Sequence, residues 1–243
     1  MNRFLTILTA LLLLFNVSYS QWEQSSTGIN GGEVFALMVK DNIIYAACDQ
    51  INSSGAGNVY RSTNNGLEWL SSRVGNFWIK CLAEKDNIIF AGTLYDSLYQ
   101  STDNGISWTK NSLNAESIWS IAIMGNKSMT IVIYGTYMST NNGVNWNINT
   151  NFTGRILKVS GNKIFAGSNN GVYSSLDSGQ TWNHILSINL PVEGLDLKDS
   201  YIYAGSYAGI YRSTNYGMNW GLSGIGWTAI PSLIAKDNFL LSG

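Results

Sequence analysis

Carboxylates that lie outside the repeated turns of this 243-residue chain could take part in acid–base chemistry. The candidates include Asp49, Asp96, Glu116, Glu193 and Asp196. Hydrolysis of a glycosidic bond generally needs two such groups flanking the bond, about 5–9.5 Å apart. Asp196 alternates with Leu195 and Leu197 as in a strand, so its carboxylate is expected on the face opposite the two leucines, where it could point into a central channel.

Aromatic residues accompany these acids. Trp78, Trp119 and Trp227 lie at or just before expected inner strands, and Tyr95 and Tyr207 lie in connecting loops. Ring faces stack on the apolar faces of sugars, while acids bind sugar hydroxyls. The candidate ligand site consists of Trp78, Tyr95, Asp96, Trp119, Asp196 and Tyr207. The alternative is that these rings only pack loops against strand ends.

The remaining reactive residue types indicate no further site. His184 is the only histidine, and it has no candidate nucleophile or second ligand nearby in sequence. Cys48 and Cys81 are too few for a disulfide framework. They either pair across neighbouring blades or remain buried thiols. We expect no metal and no cofactor.

A repeated unit must position all of these candidates. The motif Ser-x-(Asp/Asn)-x-Gly-x-x-Trp occurs five times, and its tryptophans lie 39, 38, 36 and 38 residues apart. Its repeated positions are Ser62, Asn64, Gly66 and Trp69; Ser101, Asp103, Gly105 and Trp108; Ser139, Asn141, Gly143 and Trp146; Ser175, Asp177, Gly179 and Trp182; and Ser213, Asn215, Gly217 and Trp220. A period near forty with a fixed turn motif predicts an all-β propeller with four antiparallel strands per blade.

The motif is best explained as a turn between two strands. The short Asp or Asn side chain accepts hydrogen bonds from backbone amides ahead of it, and the glycine supplies a positive φ. The alternative is a calcium loop, which needs several oxygen ligands. Each copy has at most one carboxylate at the motif's own positions, so a structural role is expected. We interpret each tryptophan as a wedge between blades.

These residues resemble the Asp-box, or BNR repeat, of sialidase-like propellers. Similar boxes occur in sortilin-like receptors and in xyloglucanase-like glycosidases, so the resemblance implies the fold more firmly than the function. Sialidases hold their substrate with an arginine cluster. Here Arg61 and Arg212 occupy equivalent positions in different repeats, which is not a convergent cluster, so sialidase activity is not expected.

The resemblance and the residues together leave three hypotheses. The first is a non-catalytic module that binds extracellular carbohydrate or protein through the loops opposite the boxes. The second is a polysaccharide-active glycoside hydrolase that uses a carboxylate pair, as xyloglucanases do. The third is a purely structural repeat within a larger surface protein.

Strands can be placed within each repeat. In the second repeat we predict strand a at 79–84, strand b at 87–92, strand c at 97–101 and strand d at 106–110. Strand b is a continuous apolar run, as expected when both faces are covered. In the third repeat the corresponding run is Ile131 to Gly135. The a–b and c–d turns then lie at one end of each blade, and the more variable b–c and d–a connections lie at the other.

Residues 1–20 are predicted to be a signal peptide, with Asn2-Arg3 followed by an apolar run and a small-residue cleavage site before Gln21. The propeller then covers 21–243. An extracellular, cell-surface or periplasmic location follows. Charged residues make up 12% and the net charge is −1, so no basic stripe suggests nucleic acid. No second apolar run would cross a membrane in the mature chain.

A sixth repeat begins after Trp220 and reaches only its second strand at Gly243. The segment that begins at Trp22 resembles a fourth strand that has no blade of its own, and it could complete the sixth blade. We therefore expect five complete repeats, a partial sixth, and an incomplete ring that is truncated at its C-terminus.

Overall fold

The computed structural model describes residues 27–29, 32–49, 57–113, 115–223, 229–236 and 239–242. The regular secondary structure of these residues consists of β-strands. They form five four-stranded antiparallel sheets and one two-stranded sheet. Each sheet is a meander in chain order. The prediction of a propeller with four-stranded antiparallel blades, five complete repeats and a partial sixth is confirmed. The predictions for 1–20, Trp22 and Trp227 lie outside the described residues.

The described residues of the six blades contain 22 strands. Blade 1 consists of β1 (Val34–Lys40), β2 (Ile43–Asp49), β3 (Gly57–Ser62) and β4 (Leu70–Arg73). Blade 2 consists of β5 (Ile79–Lys85), β6 (Ile88–Thr93), β7 (Leu98–Ser101) and β8 (Thr109–Lys110). Blade 3 consists of β9 (Ser120–Met124), β10 (Lys127–Val132), β11 (Gly135–Ser139) and β12 (Asn147–Thr150). Blade 4 consists of β13 (Ile156–Ser160), β14 (Lys163–Ser168), β15 (Gly171–Ser175) and β16 (Asn183–Ser187). Blade 5 consists of β17 (Val192–Lys198), β18 (Tyr201–Ser206), β19 (Gly209–Ser213) and β20 (Gly221–Ser223). Blade 6 consists of β21 (Leu233–Lys236) and β22 (Phe239–Ser242).

A two-residue turn joins the first two strands of each complete blade. The first turn residue has a left-handed backbone, with φ between 53° and 59°. It is Asp41, Asp86, Gly125, Gly161 or Asp199. Glycine adopts this region freely, and aspartate is one of the few other residues that visit it routinely. The residue type at this position therefore explains why each chain reversal occurs where it does.

The second strands form the centre of each blade, and they are almost wholly buried. In β6 every residue from Ile89 to Thr93 is buried. In blade 3 the sequence-based placement was wrong. The second strand is Lys127–Val132, and Ile133 and Tyr134 form the following turn, where both are exposed. The turn at Gly125 comes earlier than the apolar run suggested, so the polar residues Lys127 and Ser128 begin this strand.

The fourth strands are short. In blade 2 the strand covers only Thr109–Lys110, rather than 106–110 as predicted. The backbone amides of Ile106 and Ser107 donate to Asp103 Oδ1 at 3.1 and 2.9 Å. These residues therefore complete the box turn, and they cannot pair as a strand.

The boxes occupy the connection between the third and fourth strands, and all five close in the same way. The serine hydroxyl accepts a hydrogen bond from the glycine amide at 2.8–2.9 Å. It donates to the Asp or Asn Oδ1 at 2.7–3.0 Å. That oxygen also accepts the backbone amide four residues later. In each box both the glycine and the residue before it have positive φ.

The boxes of blades 2 to 5 each pack against the blade that precedes them. The tryptophans of blades 2 to 5 contact buried clusters that contain Tyr45, Phe90, Met129 and Phe165, respectively. All four of these residues lie on the second strand of the preceding blade. A box therefore joins its own blade to the one before.

Side chains at the outer edge of a blade also bind the next box. Ser72 donates to the Gly105 carbonyl oxygen at 2.6 Å and accepts from Trp108 Nε1 at 2.9 Å. Asn111 donates to the Gly143 carbonyl oxygen at 2.8 Å. Because these carbonyls belong to turns, such bonds satisfy groups that no strand partner reaches.

The two cysteines are not joined in a disulfide, although the sequence left a pairing open. Cys48 is buried in β2, and Cys81 lies in β5. Burial raises the pKa of the Cys81 thiol to about 12. A thiol in this state is inert.

Candidate functional site

Each blade has two ends. The boxes share one end with the a–b turns. The b–c turns and the connections between blades lie at the opposite end, which we call the loop face. Its described segments are 74–78, 94–97, 111–113, 115–119, 133–134, 151–155, 169–170, 188–191, 207–208 and 229–232. The first strands of successive blades contact one another, so they form an inner wall that ends at the loop face.

One position of this inner wall differs in chemistry from blade to blade. It lies five residues before the end of each first strand. The residues are Phe35, Lys80, Trp119, Arg155 and Glu193. In blades 1, 2 and 5 the strand pairing shifts here by one residue, forming a β-bulge. Bulges redirect side chains and often occur next to functional sites.

Aromatic rings cluster where blades 1 and 2 meet the loop face. Phe35 stacks on Trp78, with ring centroids 6.0 Å apart and planes 20° apart. Lys80 Nζ lies 3.9 Å from the Phe35 centroid, a cation–π contact. Phe77 meets Tyr95 edge to face at 6.2 Å. Exposed fractions are 42% for Trp78, 38% for Phe77 and 65% for Tyr95, so these rings remain accessible.

Charged side chains occupy the same level of the inner wall in blades 4 and 5. Arg155 Nη1 donates to Glu193 Oε1 at 2.7 Å, and its Nε donates to Asn169 Oδ1 at 2.8 Å. Further from the loop face, Lys158 Nζ donates to Asp196 Oδ1 at 3.0 Å. The inner wall is therefore aromatic on one side and ionic on the other.

Asp196 does not stand free in a channel. Its Oδ2 accepts the Ala235 amide of blade 6 at 2.8 Å, while Oδ1 binds Lys158 of blade 4. Its side chain is 16% exposed. The carboxylate therefore connects three neighbouring blades.

Asp96 is also engaged. It accepts hydrogen bonds from Lys110 Nζ and from the Tyr99 hydroxyl, both at 2.6 Å. Burial opposes its ionisation, but these two bonds together hold the pKa of Asp96 below its usual value. Burial and the bond to Asp96 raise the pKa of Tyr99 to about 12. Asp96 is thus an ionised acceptor that fastens the b–c turn of blade 2.

The six residues of the predicted site fall in three blades. Trp78 and Tyr95 come together in blade 2, where the Leu94 amide donates to the Trp78 carbonyl oxygen at 2.8 Å. Trp119 is partly buried and packs on the core of blade 3. Tyr207 is exposed in the b–c turn of blade 5.

One remaining acidic candidate has a side chain outside the described residues, and another lies apart from the rings. The side chain of Asp49 lies outside the described residues, and Glu116 is exposed in the connection between blades 2 and 3. His184 stacks on Tyr173 at 4.1 Å, on an outer strand. Among the residues with a described position, no three His, Cys, Asp or Glu side chains come together as metal ligands.

Sequence reasoning missed Phe35, Lys80 and Arg155 as members of this site. Counting five residues back from each first-strand end would have found them, because the a–b turns are readable from sequence. In blades 1 and 2 the bulge hides the pattern, since it breaks the alternation that locates inward-facing residues.

No protein-family model matches the chain, and no curated protein matches it. Several solved structures do. The extracellular domain of a hybrid two-component system from B. thetaiotaomicron is 16% identical, with a TM-score of 0.75 over 92% of this chain and 32% of that one. An ancestral GH74 enzyme is 25% identical, with a TM-score of 0.63 over 82% of this chain and 32% of that one.

The GH74 xyloglucanase from Xanthomonas campestris is 15% identical, with a TM-score of 0.69 over 93% of this chain and 46% of that one. The chain therefore spans 32–46% of the length of these three proteins. Their likeness supports the β-propeller fold. No helix in the described part of the chain is long and apolar enough to cross a membrane.

Proposed function

We propose that this chain is an exported Asp-box propeller that binds extracellular carbohydrate through the aromatic cluster at the loop face of blades 1 and 2. The observation that carries the proposal is the exposure of Phe77, Trp78 and Tyr95 beside the stacked Phe35. Apolar side chains that remain exposed as a group mark interaction sites. Two of the similar structures are GH74 enzymes, one of them a xyloglucanase, which favours a polysaccharide ligand.

The polar surroundings of the cluster suit a neutral ligand with many hydroxyls. Arg73 Nη2 donates to Asn76 Oδ1 at 2.7 Å, and Arg73 Nε donates to the Gly75 carbonyl oxygen. Lys80 lies over Phe35. Donors therefore border the rings, as they do in sites that combine apolar walls with a few polar groups.

A polysaccharide hydrolase is the second candidate, and the likeness to GH74 enzymes is the observation that favours it. Against it, Asp96, Glu193 and Asp196 each form an ion pair with a lysine or an arginine. A general acid must hold a proton near its operating pH, and the bonds from Lys110 and Tyr99 hold the pKa of Asp96 below its usual value. We therefore favour binding without hydrolysis.

Calorimetric titration with polysaccharides tests the proposal. Xyloglucan and hexasaccharides of β-1,4-glucan, β-1,4-mannan and chitin are suitable probes. We expect at least one to bind, and we expect Trp78→Ala to weaken that binding at least about tenfold, which corresponds to about 1.4 kcal/mol. Tyr134→Ala is the matched control, because Tyr134 is an exposed loop-face ring outside the cluster.

Two outcomes would contradict the proposal. One is the absence of binding by every glycan in the panel, which would favour a protein ligand. The other is equal binding by the wild type and Trp78→Ala. Release of reducing ends during the titration would support the hydrolase instead.

Membership of the Asp-box family and export belong to the same proposal. The five boxes support the first, and the apolar run within residues 1–20 supports the second. The mature propeller would begin at Gln21. Intact-mass measurement of the secreted protein checks this, and a mass that still includes Met1 to Ser20 would refute it.

A further inference from the structure

The aromatic cluster contains two separate ring pairs, which we call the inner step and the outer step. The inner step is Phe35 with Trp78, and the outer step is Phe77 with Tyr95. Phe77 and Trp78 are consecutive, yet Trp78 contacts the first strand of blade 1 and Phe77 contacts the b–c turn of blade 2. The two pairs therefore run outward from the inner wall along one blade.

Both steps are held in place by bonds that involve the backbone. The Leu94 amide donates to the Trp78 carbonyl oxygen, and the Tyr95 amide donates to Ser117 Oγ at 3.2 Å. Ser117 is fully buried. A Cβ on Gly57 would lie 2.3 Å from the Phe77 carbonyl oxygen, so only glycine lets this connection approach so closely. Rings fixed before binding lose little entropy when a ligand arrives.

Tyr95, in the outer step, has a backbone conformation that is unfavourable for its residue type. Its φ is +62°, a left-handed conformation that is uncommon for bulky residues. Backbone strain of this kind persists only where surrounding contacts impose it, and it clusters at ligand sites. The conformation leaves the Tyr95 ring 65% exposed and beside Phe77.

The chemistry of the exposed surface suits a sugar ligand. The exposed side chains of the two steps are aromatic and the neighbouring Val74 and Leu94 are buried, although Val34 beside Phe35 is 48% exposed. Most exposed apolar side chains of the boxes are instead aliphatic, such as Leu67 and Ile106, with Tyr216 as an exposed ring among them. Flat rings bordered by donors match sugar faces and hydroxyls.

We infer that the ligand is an extended oligosaccharide chain whose successive units stack on the inner step and then on the outer step. This inference rests on the proposed function. One sugar ring covers one aromatic ring, so two steps require more than a single unit. Trp78 then supplies binding for ligands of any length, and Phe77 and Tyr95 supply the gain that comes with length.

Calorimetry with the single sugar unit and the hexasaccharide of β-1,4-glucan, β-1,4-mannan and chitin tests the inference, because a single unit can cover only one step. For the backbone that binds, we expect the hexasaccharide to bind at least tenfold more tightly than the single unit. Tyr95→Ala and Phe77→Ala should remove most of that gain. Trp78→Ala should weaken both lengths. Tyr134→Ala should match the wild type. Thermal unfolding of each variant excludes misfolding, since all three rings are exposed.

The outcomes separate the two proposals. If a glycan binds but its affinity does not increase with length, the extended-chain inference is overturned and the proposed function stands. The same holds if Tyr95→Ala weakens both lengths equally. If no glycan binds at all, both proposals fail.

Discussion

The boxes contain either an aspartate or an asparagine, and the residue four positions later changes with it. Asp103 is followed by Ser107 and Asp177 by Thr181, and each hydroxyl donates to the second carboxylate oxygen at 2.6 Å. The asparagine boxes have Glu68, Asn145 and Asn219 there. The aspartate boxes therefore form one hydrogen bond that the others do not, and this bond requires an ionised carboxylate.

This difference predicts how the stability of the folded protein depends on pH. The Thr181 hydroxyl and amide hold the pKa of Asp177 at about 2, and the equivalent bonds from Ser107 lower the pKa of Asp103. In the unfolded chain the pKa of aspartate is about 3.9. A depressed folded pKa stabilises the protein above the unfolded value, and that contribution is lost as pH falls from about 4 to about 2.

We expect the double variant Asp103→Asn, Asp177→Asn to lose stability less steeply over that interval than the wild type does. Urea unfolding at several pH values between 5 and 2 measures the slope. Asp199→Asn is the control, because it removes a carboxylate from a hairpin turn outside the boxes. A double variant whose slope matches that of the control would contradict the argument.

The sequence predicts the hydrogen bonds and ion pairs of a side chain only where both partners lie close together in the chain. The bonds within a box join side chains and amides at most four positions apart, so one copy of the motif is enough to predict them. The partners of Glu193 and Asp196 lie 38 or 39 residues away. Nothing in the local sequence indicates those pairs, which is why Asp196 was expected to point into a channel.

At the scale of elements, two separate requirements favour glycine in the box: a positive φ and a close contact with the preceding blade. Gly143 has a φ of +78°, and a Cβ on it would lie 2.8 Å from the Phe90 ring of the preceding blade. Gly125, in the a–b turn of the same blade, has a φ of +58° with no atom within 4 Å of such a Cβ. The two positions share the backbone requirement, and only Gly143 has the close contact.

We therefore expect Gly125→Ala to cost about 1–2 kcal/mol, the strain of a left-handed alanine. Gly143→Ala should cost about 1–3 kcal/mol more, because the added methyl group overpacks a buried ring. Equilibrium urea unfolding of both variants measures the difference. Equal destabilisation would show that the Phe90 ring moves aside freely and that the contact contributes nothing.

Element boundaries were predictable where a turn residue marks them and wrong where two patterns compete. The apolar run from Ile131 to Ile133 suggested a strand, but the left-handed Gly125 places the turn earlier and shifts the strand with it. In blade 2, Ile106 looks like a strand residue, yet its amide is used by Asp103. Side-chain bonds to the backbone outcompeted strand pairing there.

At the scale of the whole molecule, each blade contacts mainly its immediate neighbours, as in other repeat proteins. Boxes and tryptophans make these contacts on the outer part of the blades, and ion pairs make them on the inner wall. Asp196 is distinctive because it spans three blades, from Lys158 in β13 to the Ala235 amide in β21. The last described sheet, β21 with β22, has two strands, and this bond attaches it to blade 5 together with the packing of Ile230 and Leu233.

Removing the Asp196 carboxylate should therefore loosen blade 6 before it affects the rest. A hydrogen bond to a charged group contributes roughly 1.5–3 kcal/mol, and about 1.4 kcal/mol changes an opening equilibrium tenfold. We expect Asp196→Ala to accelerate amide exchange in 233–236 at least tenfold, with little change in blades 1 to 3. Glu193→Ala is the matched control, since it also breaks an ion pair between blades 4 and 5 but its hydrogen bond goes to Arg155 of blade 4 rather than to blade 6. Local opening follows the bonds that hold each segment, so equal exchange in the two variants would mean that packing of Leu233 and Ile230, rather than Asp196, fixes the last blade.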